Sequence, residues 1–167
     1  MPTCDRLFIL SKNQLQPISD FTVTSRITGN EKIKIDFIGA TKGIELRKTY
    51  EIENTKLTVT YHVRSEIKDS FLIIEDSWGI NKLKEKDFPE KLQAHKTYDI
   101  IDSDYDIRIR NSISANALLE ITPRFSVSQE VDYFVQQLQQ LRLRLKIPLN
   151  SHEIHFMRTL EITERNI

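Results

Sequence analysis

The sequence predicts an all-β, antiparallel sandwich. Three observations carry that prediction. Apolar residues recur at every second position over much of the chain, Gly- or Asn-bearing breaks separate the runs, and no long segment has helical spacing. Successive strand side chains point to opposite faces, so alternation marks a sheet with one dry and one wet side.

Taken in order, Phe21, Val23, Ser25 and Ile27 alternate first. Thr28-Gly29-Asn30-Glu31 follows, and Gly and Asn tolerate the positive φ angles of a tight turn. Ile33, Ile35 and Phe37 then alternate against Lys34 and Asp36. Gly39 to Gly43 makes a short connection to the run Ile44, Leu46, Lys48, Tyr50, Ile52. Glu53-Asn54-Thr55 turns the chain into the clearest strand, with Leu57, Val59, Tyr61 and Val63 on one face and Thr58, Thr60, His62 and Arg64 on the other. Phe71-Leu72-Ile73-Ile74 is continuously apolar, the mark of the most central strand.

Asn81 to His95 is charge-dense around Phe88-Pro89 and reads as a long solvated loop. Tyr105, Ile107 and Ile109 alternate again. Ser128 to Leu138 reads as one short helix, capped by Ser128, with Val131, Phe134, Val135 and Leu138 at helical spacing. Whether Tyr133 to Leu138 belongs to that helix or to the next strand is open. Leu141, Leu143, Leu145 and Ile147 alternate with Arg142, Arg144 and Lys146 until Pro148, and Ile154 to Ile162 is extended.

The 167 residues suit a single domain, 1–167. Lys+Arg and Asp+Glu both number 24, which removes the electrostatic case for a nucleic-acid or anionic-membrane partner. No apolar run approaches the about 20 residues of a membrane span. Cys4 is the single cysteine and no signal-peptide core precedes the first charges, so the expected location is cytoplasmic, or the chain is a fragment of a larger protein.

Few residues offer chemistry. Asp102, Asp104 and Asp106 have the alternating carboxylates that open a calcium loop, but Ile107 and Ile113 stand where the turning glycine and the bidentate glutamate belong. His152 and His155 lie three apart in an extended pattern, on opposite faces, which is poor geometry for zinc. His62 sits on the wet face of its strand without an evident partner, and nothing brings Cys4 to a histidine. Glu75 and Asp76 end the central strand and diverge, so they do not make a two-carboxylate hydrolase centre. Trp78 follows them. Its ring would either stack on a sugar whose hydroxyls the acids accept, or plug the end of the sandwich. No catalytic constellation and no cofactor motif is present.

Four stretches in order resemble one family. Lys48-Thr49-Tyr50-Glu51-Ile52 through Leu57 to Val63 resembles a paired-strand motif of galactose-mutarotase-like sandwiches, and Phe71 to Asp76 the strand that follows it. Ile101-Asp102 to Ile109 resembles a later strand, and Arg124-Phe125-Ser126-Val127-Ser128-Gln129-Glu130 a signature heptad that has lost one Ser. All four occur in the C-terminal β-sandwich of family-57 α-amylases and 4-α-glucanotransferases. Val131-Asp132-Tyr133 and Gln136-Gln137-Leu138 replace elements that follow the signature there. The family's catalytic barrel has no counterpart in this chain, so no catalytic residue carries over. The resemblance implies a supersandwich fold and a non-catalytic accessory domain linked to α-glucan processing. Such a domain would contact glycan, with Trp78, Glu75 and Asp76 as its residues, or brace a catalytic-domain partner. The alternative is a protein–protein interaction module with no sugar site.

Overall fold

The computed structural model describes residues 3–29, 32–78, 97–102, 106–129 and 134–164, and the side chains of 5–29, 32–78, 97–101, 106–124 and 140–164. These residues form twelve strands paired antiparallel in two sheets, with no helix among them. The strands are β1 (Thr3–Ser11), β2 (Gln14–Ile18), β3 (Phe21–Thr28), β4 (Lys32–Thr41), β5 (Ile44–Glu53) and β6 (Lys56–Ser65). There follow β7 (Ser70–Trp78), β8 (Thr97–Asp102), β9 (Ile107–Ile113), β10 (Leu118–Gln129), β11 (Phe134–Pro148) and β12 (Glu153–Glu164). One sheet runs β10-β11-β7-β1-β2 and the other β3-β4-β5-β6-β12-β9-β8. The predicted all-β sandwich is what the chain forms.

The core lies between the sheets, built from the dry faces that alternation marks. Leu46, Val59, Tyr61, Val63, Phe156 and Leu160 come from the wider sheet. Leu7, Ile9, Leu72, Ile74, Leu143, Leu145 and Ile147 oppose them. Strand β7 lies at the middle of the five-stranded sheet, bonded to β11 and β1, as its unbroken apolar run predicts.

The turns follow side-chain chemistry. Lys12 and Asn13 both take positive φ (48° and 62°) in the two-residue loop closed by Ser11 and Gln14, which matches the twist of the flanking strands. Asn54 does so (51°) between β5 and β6. The connection expected over Gly39 to Gly43 is narrower: Thr41 pairs with Ile44, and Gly39 lies inside β4. Gly39 is there because a Cβ would come within 2.5 Å of the Phe21 ring, which lies across its backbone. Gly39→Val is therefore expected to lower stability by about 1–3 kcal/mol in urea unfolding. An unchanged midpoint would show that the ring moves aside freely.

The expected helix over 128–138 does not form. Ser128 pairs with Val135 and Gln129 with Phe134 as β10 and β11 meet, and only residues 130–133 between them lie outside the described residues. The residues at helical spacing include β-branched and aromatic ones that also suit a strand, and a long antiparallel ladder outweighs a weak local preference. The loop expected over Asn81 to His95 also lies outside the described residues. Among those that are described, no helix is long and apolar enough to cross a membrane.

Candidate functional site

The polar residues of interest fall into three groups, of which one is buried between the sheets. It begins with a bulge. Arg6 pairs with Glu75 but Thr3 with Ser77, so β1 carries one extra residue there, and Asp5 sits in it at φ 60°. The Asp5 side chain lies inward, in phase with Leu7 and Ile9, and the residue is 5% exposed. Its Oδ2 accepts hydrogen bonds from Lys48 Nζ (3.1 Å) and the Tyr50 hydroxyl, and its Oδ1 accepts one from the Tyr61 hydroxyl. The Asp5 amide donates to Asp76 Oδ1 at 2.6 Å. Asp76 Oδ2 accepts from the Arg158 guanidinium, whose Nε donates to Asn111 Oδ1 at 3.1 Å.

Two carboxylates thus meet two cations, and the group is electrically balanced. Asp76 and Arg158 are each 1% exposed. Burial, reinforced by the Asp5 carboxylate, holds the Tyr61 phenol well above its ordinary pKa, which keeps it a donor. Burial alone would lower Arg158, but the Asp76 carboxylate, together with Tyr98 and Tyr61, more than offsets this and the guanidinium stays charged. Lys48 Nζ also faces aromatic rings, with the Phe21 centroid at 4.2 Å and that of Tyr50 at 5.1 Å. Both acids are engaged by donors, and the group forms an ionic tie between the sheets. It joins β1 and β7 of one sheet to β5, β6, β9 and β12 of the other.

The second group contains Glu75. Adjacent strand residues diverge, so Glu75 emerges on the opposite face of β7 from Asp76. There it lies beneath Arg144 (Nε to Oε2, 2.7 Å), Arg6 (3.6 Å) and Arg142 (3.9 Å). Trp78 is the last residue of β7, opposite Leu141 and packed against the core, its indole N–H buried without a partner among the described residues. The structure therefore does not gather Glu75, Asp76 and Trp78 around one point: Asp76 and Trp78 share a side, and Glu75 does not. Of the candidate calcium residues, Asp102 ends β8, Asp106 is exposed at φ 51° just before β9, and Asp104 lies outside the described residues.

The third group lies on the outer face of the wider sheet. His62 of β6 stands directly opposite His155 of β12, and Glu153 is two residues before His155 on the same face. The imidazoles stack with centroids 3.9 Å apart and planes 24° from parallel. Glu153 Oε1 bonds to His62 Nε2 and lies 3.6 Å from His155 Nε2, while Arg64 Nε donates to it at 3.4 Å. The bond to His62 and the Arg64 charge lower the Glu153 pKa. His152 is not part of this group. Its Nδ1 is 3.0 Å from the Ser65 carbonyl oxygen, in the turn before β12. Sequence reasoning placed His62 on a wet face but did not find Glu153, 91 residues later, or His155 beside it, which strand register brings to it.

No family model matches the chain, and no curated protein sequence matches it. Solved structures do. A 4-α-glucanotransferase from Thermococcus litoralis matches 96% of this chain and 27% of its own length, with TM-score 0.70 at 14% identity. A heparinase III matches over 94% and 24%, with TM-score 0.61 at 8% identity. The Slr1438 protein from Synechocystis sp. PCC 6803 matches over 94% and 78%, with TM-score 0.51 at 10% identity. This chain spans about a quarter of the length of the first two proteins. What it shares with them is the β-sandwich fold.

Proposed function

We propose that this chain is a non-catalytic β-sandwich domain of carbohydrate-processing machinery, which contacts an α-glucan or braces a catalytic-domain partner. The observation that carries this reading is the fold: nearly the whole chain has the architecture of about a quarter of a 4-α-glucanotransferase. The inter-sheet tie supports the non-catalytic part, because its carboxylates are held by Lys48 and Arg158 instead of facing a cleft. Trp78, the chain's one tryptophan, reports the test. Maltooligosaccharides are expected to shift or quench its fluorescence saturably, with a dissociation constant between about 10 μM and 10 mM, since one stacked ring adds only about 1 kcal/mol. Trp78→Phe is expected to keep the fold and weaken binding, read by calorimetry. A folded protein silent by both fluorescence and calorimetry at the upper end of that range excludes the glycan contact.

A second reading, a protein-interaction module without a sugar site, has its own observation. Five strands face seven, and Val23, Ile52 and Ile162, on the core-bearing side of the wider sheet, remain 55%, 41% and 43% exposed. Apolar surface of this kind suits a protein neighbour. Silence toward sugar favours this reading.

A further inference from the structure

We propose that His62, Glu153 and His155 bind a borderline transition-metal dication, with Zn(II) as the reference ion, on the outer face of the seven-stranded sheet. Each residue supplies a donor of the type such ions select, two imidazole nitrogens and one carboxylate oxygen, the ligand set of an open three-residue site. Their donor atoms lie within 4.8 Å of one another. Backbone register, rather than flexible loops, brings them together: His62 and His155 are cross-strand partners, and Glu153 is fixed two residues away on the same strand.

Exposure leaves room for the ion. The side chains of His62, Glu153 and His155 are 27%, 43% and 62% accessible, so an ion reaches them from solvent and a water completes the coordination. A shallow cleft lined by Glu45, Arg47, His62 and Arg64 adjoins the group. Arg64 competes for Glu153, but its side chain is 55% exposed, where an ion pair is weak and a directly coordinating dication displaces it. The stacked rings hold their in-plane lone pairs nearly parallel, so binding turns the exposed His155 ring until both imidazole nitrogens face the ion. The ion would link β6 to β12 on the surface opposite the buried ionic tie.

The experiment titrates Zn(II) into the metal-free, tag-free full chain by calorimetry. One saturable equivalent per chain is expected. His155→Asn and Glu153→Gln are each expected to weaken binding by more than about tenfold, since loss of even an outer partner of a metal ligand costs about 10–100-fold. His152→Asn, bonded elsewhere, is expected to bind as the unsubstituted chain does. Co(II) is expected to give visible d–d bands that His155→Asn removes. These side chains lie outside the core, so the variants keep the β-type circular dichroism spectrum, and two independent variants guard against one failing to fold. Absence of a saturable equivalent, or a folded His155→Asn chain that binds as tightly as the original, overturns the proposal.

Discussion

Asp76→Ala is expected to destabilise the protein by about 3–5 kcal/mol, because it strands the Arg158 charge inside the sandwich. Both partners are 1% exposed, so water cannot replace the lost carboxylate without opening the sheets. The Asp5 amide loses its acceptor in the same step. Urea unfolding with an unchanged m-value checks the magnitude. The companion double variant Asp76→Leu/Arg158→Met removes both charges and is expected to recover most of the loss, since apolar replacement of a buried pair is often neutral. A loss below about 1 kcal/mol for Asp76→Ala would mean that Arg158 finds another partner or water.

Val63→Asp is expected to prevent folding or cost more than about 4 kcal/mol, while Thr60→Asp stays within about 0.5 kcal/mol. Val63 is 1% exposed and pairs with Leu46 and Ile154, so a carboxylate there has no cation opposite it. Val59 is a poorer test because its cross-strand partner is Arg158, which would receive the new charge. Thr60 lies on the outer face of the same strand. Thermal melts of the two variants give the answer, and equal melting temperatures would contradict the register of β6.

Strands β3 to β6 were legible because their signals are local: period-two alternation and breaks at Gly29 and Asn54. The single face expected for Phe21, Val23, Ser25 and Ile27 is broken, however, by a bulge between Val23 and Ser25 that puts Ser25 and Ile27 on the other side. The buried tie was legible only in part. Lys48 interrupts the apolar positions Ile44, Leu46, Tyr50 and Ile52, and a lysine in phase with a dry face announces a buried cation. Its partner could not be read, since Asp5 is 43 residues away and lies on a strand of the other sheet. The same limit hid His155 from His62, because register belongs to the fold and not to spacing. The helix expected over 128–138 failed for the converse reason: a local signal was present, and a long-range ladder overrode it. The sugar site suggested by Glu75, Asp76 and Trp78 rested on adjacency along the chain, which a strand divides between two faces.

Strand β12 lies between β6 and β9, the two halves of the wider sheet, although it follows both of them in the sequence. During synthesis the β3-to-β6 meander can assemble early, since each of its hairpins closes a short loop. The far side of β6 then waits with its amide and carbonyl groups unpaired until residues 153–164 arrive, and so does the matching edge of β9. Closing so many distant pairings makes the final docking step slow. During that wait the nascent chain exposes two open ladders to neighbouring molecules, so the hazard of aggregation is concentrated before β12 docks.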